Sequence, residues 1–80
     1  MQTDKPAEVL HFGRHIERLR EQQALTEEQL AARAGVGVNT ILAIERGDLS
    51  PSLDTMRRIS RGLDISIAEL FESFEQQEDR

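Results

Sequence analysis

Residues 25–47, LTEEQLAARAGVGVNTILAIERG, read as two short amphipathic helices joined by a tight turn, and the rest of the chain is arranged around them. Thr26 has the chemistry of an N-cap, and Gln29, three residues on, can return the bond to close a capping box. Leu30, Ala31 and Ala34 recur at helical spacing and give the first helix a small-residue inner face. Gly35 stops that helix, because glycine enters the left-handed conformation that a helix C-terminus often needs without steric cost. The second helix starts near Val38, carries Ile41 and Ile44 on one face and ends at Gly47. Small side chains where the two helices cross let their backbones come close. A pair joined in this way can set its second helix into a DNA major groove.

Upstream, Pro6 suits the first turn of a helix, with Asp4 and Glu8 near its positive end, and residues 1–5 are expected to fray. The helix should run to about Gln23 with Val9, Phe12, Ile16 and Leu19 as its buried stripe. Arg14, Glu17, Arg18 and Glu21 form a mixed-charge solvated face. Downstream, Asp48-Leu49-Ser50-Pro51 is a loop with strong breaker chemistry. Ser52 caps a fourth helix, in which Leu53, Met56, Ile59 and Leu63 are expected inside and Arg57, Arg58 and Arg61 outside. Asp64 takes a tight turn where glycine is usual. Ser66 and Glu69 repeat the capping-box pattern at the start of a fifth helix, whose apolar positions are Ile67, Leu70, Phe71 and Phe74. The expected fold is therefore all-α, a compact bundle of five helices.

Eighty residues are expected to make one small domain over 1–80, with the motif at about 26–46 and an acidic C-terminal helix and tail over 66–80. A domain this small gains from dimerisation. Cysteine is absent, so there is neither a disulfide framework nor a thiolate metal site. His11 and His15 lie four apart and share a helix face in the helical projection, but a pair without a third ligand is weak evidence for a metal, and none is expected. No cofactor is expected either. The chain lacks an eighteen-residue apolar run and a basic-then-apolar leader, which points to a cytoplasmic, nucleoid-associated protein without membrane contact.

The net charge of −5 looks wrong for a nucleic-acid binder until its distribution is considered. Up to Leu63 nine acids face nine bases, whereas from Asp64 onward six acids face Arg80 alone. Affinity for DNA depends on which charges meet phosphates, so an acidic tail held away from the duplex is compatible with binding and weakens its non-specific part. No nucleophile–base set or phosphate-cradling glycine loop is present, so no enzyme is expected.

Taken together, Ile16-x-x-Leu19-Arg20, Leu25-Thr26-x-x-x-Leu30-Ala31, Ala34-Gly35-Val36, Thr40-Ile41, Ile44-Glu45-Arg46-Gly47, Pro51-Ser52-Leu53 and Leu70-Phe71 resemble the phage repressor/Cro-like (XRE-type) helix-turn-helix family. Each piece alone is weak; the ordered set, covering about Phe12 to Phe71, is specific. The resemblance implies a five-helix, lambda-repressor-like bundle acting as a stand-alone, homodimeric, sequence-specific DNA-binding regulator, a repressor or autoregulator reading a near-palindromic double-stranded operator. Small phage repressors, restriction–modification controllers and some antitoxins share this form.

Carried onto this chain, the resemblance implies base reading by Gly37, Val38, Asn39 and Ala43 on a recognition helix from Val38 to Arg46. Asn39 alone among them can pair bidentately with adenine. Phosphate contacts would come from Thr40, Arg46, Ser52 at a capped helix start, and Arg57, while Arg58 and Arg61 read equally as solvated charges. Arg20 and Glu45 would form a partly buried structural ion pair. Glu27 stands where many relatives carry a phosphate-binding glutamine, and it reads equally as a first-turn acid that favours the helix dipole. Phe71 and Phe74 are read as a symmetric dimer interface in preference to Phe74 packing within its own chain. The alternative is a protein-interaction module or antitoxin with weak DNA affinity, its partner a toxin or another regulator.

Overall fold

The computed structural model describes residues 6–78, with side chains described through residue 75. Five helices follow one another: α1 (Ala7–Gln22), α2 (Glu27–Ala34), α3 (Val38–Arg46), α4 (Leu53–Gly62) and α5 (Ile67–Glu78). The expectations for residues 1–5 and for the Glu78, Asp79 and Arg80 charges lie outside this description. Among the described residues no helix is long and apolar enough to cross a membrane.

Local chemistry sets the helix starts. Thr26 accepts the Gln29 N–H at 3.0 Å while the Gln29 side chain accepts the Thr26 N–H at 2.8 Å, a complete capping box. Ser66 and Glu69 build the same box on α5, at 3.0 and 2.8 Å. Ser52 caps α4 by accepting the Thr55 N–H at 3.1 Å. The helix ends share a second device. Ala24, Gly35, Gly47 and Asp64 all have positive φ, and the next residue's N–H reaches a carbonyl five residues back. These bonds are Leu25 to Arg20, Val36 to Ala31, Asp48 to Ala43 and Ile65 to Ser60. Each closes carbonyls that the helix terminus would otherwise leave open.

The core joins Phe12 and Ile16 of α1, Leu30, Ala31 and Ala34 of α2, Ile41 and Ile44 of α3, and Ile59, Leu63, Leu70 and Phe74 from the C-terminal half. Each fully buried Ile or Leu contributes roughly 1.5–3 kcal/mol relative to exposure. α1 packs on α3 and α5, α2 on α3 and α4, and α4 on α5. Two glycines set the closest crossings. A Cβ on Gly13 would run into the Ile44 carbonyl oxygen and lie 2.9 Å from that of Glu45, so α1 lies directly on the last turn of α3. A Cβ on Gly62 would lie 3.0 Å from the Ala34 backbone nitrogen, which brings α4 onto the end of α2.

Several expectations need correction. Leu53 is 59% exposed, because at about 100° per residue it falls on the margin of the α4 stripe centred on Ile59 and Leu63. Val9 and Leu19 are only half-buried, so Phe12 and Ile16 carry the inner face of α1. Phe74 is only 7% exposed and serves the core of its own chain. Its ring meets Phe12 edge-on at 5.4 Å and lies 5.6 Å from His15. Phe71, stacked on Phe12 at 6.1 Å, remains 38% exposed. The two histidines separate as well: His11 is exposed and His15 is buried.

Candidate nucleic-acid interface

The interface begins with the turn between α2 and α3. Gly35, at φ 73°, ends α2, and Gly37 in extended conformation opens α3 without a side-chain cap. Ile41 and Ile44 point fully into the core, which fixes the rotation of α3 about its axis. Gly37 and Asn39 are therefore exposed at its N-terminal end, with Thr40 and Ala43 half-buried beside them. Val38 leans on the core, so less of it is presented outward than a fully solvent-facing position would offer. Asn39 supplies an exposed amide with both donor and acceptor atoms on this edge.

Arg20 holds the other end of α3. Its Nε donates to Glu45 Oε2 at 2.7 Å, its NH2 to Glu45 Oε1 at 3.2 Å, and its NH1 to the Leu25 carbonyl at 2.8 Å. One guanidinium thus joins α1, the loop before α2 and the last turn of α3, with both side chains buried. The Glu45 hydrogen bond raises the Arg20 pKa further above its ordinary range. Burial pushes the Glu45 carboxyl up, Arg20 opposes it, and Glu27 and Glu17 add to the push. Glu27 Oε2 also lies 3.6 Å from Arg20 NH2.

The candidate phosphate groups lie along the end of α3 and the start of α4. Arg46 is exposed and lines a surface cavity of about 260 Å³ with Glu17, Glu27, Leu42 and Glu45. The Ser52 hydroxyl accepts from Thr55 N–H and donates to the Thr55 hydroxyl, so its part is to organise the α4 N-terminus. Helix starts of this kind favour anions in general, and here the Thr55 N–H is already bonded to Ser52. Arg57 is exposed there. Arg58 pairs with Asp54 at 2.9 Å, and its NH1 lies 3.5 Å from where a Gly35 Cβ would sit, over the negative end of α2. Among the described residues no group of three or more His, Cys, Asp or Glu is placed to hold a metal ion.

A second feature lies away from α3. A cavity of about 180 Å³ is lined by Val9, Phe12, Pro51, Met56, Phe71 and Phe74, with Glu8 and Ser50 at its polar positions. Leu49, Leu53 and Phe71 are the exposed large apolar residues of the chain as described. Gly13 is the residue that sequence reasoning missed. A glycine inside an otherwise helical pattern signals a close backbone approach, and here that approach seats the last turn of α3.

A family model described as Helix-turn-helix matches residues 16–70. The CTXphi transcriptional repressor RstR of Vibrio cholerae is 41% identical over 59 residues, covering 74% of this chain and 53% of its own. The chain thus spans about half the length of that relative. Control protein C.MunI of Mycoplasma is 32% identical over 69 residues, covering 85% of this chain and 93% of its own. Among solved structures, the restriction-modification controller protein C.AhdI from Aeromonas hydrophila superposes with a TM-score of 0.79 at 32% identity, covering 82% of this chain and all of the other. The matched span contains both helices of the turn, the Arg20–Glu45 tie and the start of α4, and on that basis the chain belongs to the helix-turn-helix family of the phage repressor/Cro-like (XRE) type.

Proposed function

We propose that this protein is a sequence-specific transcriptional regulator, a homodimeric repressor or autoregulator that sets α3 into the major groove of a near-palindromic operator. The observation that carries the reading is the seating of α3. Gly13 lets α1 support its last turn, Arg20 ties Glu45, and Ile41 and Ile44 turn Gly37, Asn39 and Ala43 outward. A helix so fixed can hold Asn39 against an adenine edge while Thr40, Arg46, Arg57 and the α4 N-terminus meet phosphates. The reading assigns no catalytic step and places the protein in the cytoplasm, on the nucleoid.

Dimerisation belongs to the same proposal. Phe71 is backed by Phe12, and the groove beside it is lined by Val9, Pro51 and Met56. Two copies joined there would present two recognition helices about 34–36 Å apart, one turn of DNA. The 59% exposure of Leu53 also supports a second reading, in which an exposed apolar surface at the start of α4 receives another protein, a toxin or a regulator.

The test is a titration against DNA from immediately upstream of the protein's own coding sequence and against a scrambled duplex, at two salt concentrations. The proposal expects selective binding that weakens steeply with salt. Absence of binding to any duplex at low salt would move the protein-interaction reading to first place.

A further inference from the structure

We infer that Glu27 limits the affinity of the α3 face for DNA, an inference that rests on the DNA-binding reading above. Arg20 is the cation paired with Glu27 among the described residues, and three of its five N–H donors serve other acceptors. Nε and NH2 go to Glu45 and NH1 to the Leu25 carbonyl, which leaves Glu27 a 3.6 Å contact to a nitrogen that already serves Glu45. One positive charge is therefore shared by two carboxylates. The cavity beside it, between α1, α2 and α3, is lined by Glu17, Glu27, Glu45 and Arg46. Counted with Arg20, two cations there face three carboxylates.

The excess matters because of its place. In this docking mode the first helix of the pair crosses the sugar–phosphate backbone while the second enters the groove. Glu27 opens α2, and its side chain is 35% exposed. The first-turn N–H groups of α2 would favour a phosphate, and the Glu27 carboxylate brings a like charge to the same point. Phosphate contacts carry affinity and register without sequence information. Glu27 thus lowers binding to operator and to random DNA alike, leaving discrimination to α3.

The experiment compares wild type, Glu27→Gln and Glu72→Gln on the operator and on a scrambled duplex across a salt series. Glu72 is exposed on α5 and controls for the change in net charge alone. Removing one like charge at phosphate distance should tighten Glu27→Gln binding to both duplexes by about three- to tenfold at low salt, with the gain shrinking as salt screens it. The operator-to-scrambled ratio should stay constant, and Glu72→Gln should match wild type. Thermal melts establish that the variants are folded, and Glu27→Ala should move affinity in the same direction. Unchanged or weaker binding by folded Glu27→Gln, or an equal gain in Glu72→Gln, would overturn the assignment while leaving the DNA-binding reading standing. Failure of wild type and Glu27→Gln alike to bind any duplex at low salt would overturn both.

Discussion

Arg20 and His15 show how single side chains set the behaviour of this fold. Arg20 joins three elements through four hydrogen bonds and ion pairs, and its loss would leave the Glu45 charge buried without a partner. Arg20→Met should cost about 3–5 kcal/mol by chemical denaturation, and adding Glu45→Met should recover part of that loss, because the desolvated charge is then removed. His15, 2% exposed, is hydrogen-bonded through Nε2 to the Ser73 hydroxyl at 2.9 Å, and Ser73 Oγ lies 3.3 Å from the Leu70 carbonyl that it donates to. Its buried Nδ1 meets no hydrogen-bond partner in the described chain, so protonation would create a donor without an acceptor. Burial lowers the His15 pKa below 6.5, Arg18 lowers it further, and the Leu70 carbonyl pulls it back. The folded state thus prefers the neutral ring. That contribution is present above the unfolded value and is lost as pH falls through the lowered folded value. Melting temperature should decline on acidification below about pH 6.5, ahead of the carboxylates, and His15→Leu should flatten that decline. A flat wild-type profile between pH 7 and 5 would contradict this account.

At the scale of elements, helix ends and crossings decide the architecture. Ala24 takes the left-handed position that Gly35 and Gly47 fill elsewhere, at φ 57° with a side chain that disfavours it. Ala24→Gly should stabilise the protein by up to about 1 kcal/mol in a thermal melt, since the strain outweighs the entropy cost of glycine. Gly13→Ala should do the reverse. Its methyl group would strike the carbonyls of α3, costing roughly 1–3 kcal/mol by overpacking and tilting the recognition helix, so DNA affinity should fall as well. Most of these elements were legible in the sequence, because capping boxes, terminal glycines and apolar spacing are local signals. Thr26–Gln29, Ser66–Glu69 and the Asp64 turn all follow from neighbouring residues alone. The departures are non-local. Leu53 and Phe74 have apolar chemistry suited to either the core or the surface, and which they occupy depends on how α4 rotates against α2 and α5 against α1. The importance of Gly13 depends on a helix more than twenty residues away.

For the whole molecule, the two cavities lie on different elements, one beside α3 at Glu17, Glu27 and Arg46, where the proposal puts nucleic acid, and one at Phe71, Pro51 and Met56, where it puts a second copy. Phe71→Glu should convert the dimer to monomer in sedimentation and lower operator affinity roughly a hundredfold, because the second half-site would no longer bind intramolecularly. Helical stability should be retained, as Phe12, Phe74 and Leu70 keep the core closed behind it. The acidic excess beyond Leu63 falls largely on α5, which carries the proposed dimer face, and the charge-balanced body carries the proposed DNA face. If α3 reads sequence through its outward edge, Asn39 is the residue there with base-specific hydrogen-bonding capacity. The most direct measurement is the ratio of affinities for a preferred duplex, selected from a random pool, and for its scrambled counterpart, in wild type and in Asn39→Ala. Asn39→Ala should remain folded and lose about 1–3 kcal/mol of discrimination, concentrated at one adenine per half-site, while binding to scrambled DNA stays near wild type. An unchanged ratio in a folded Asn39→Ala protein would contradict this reading.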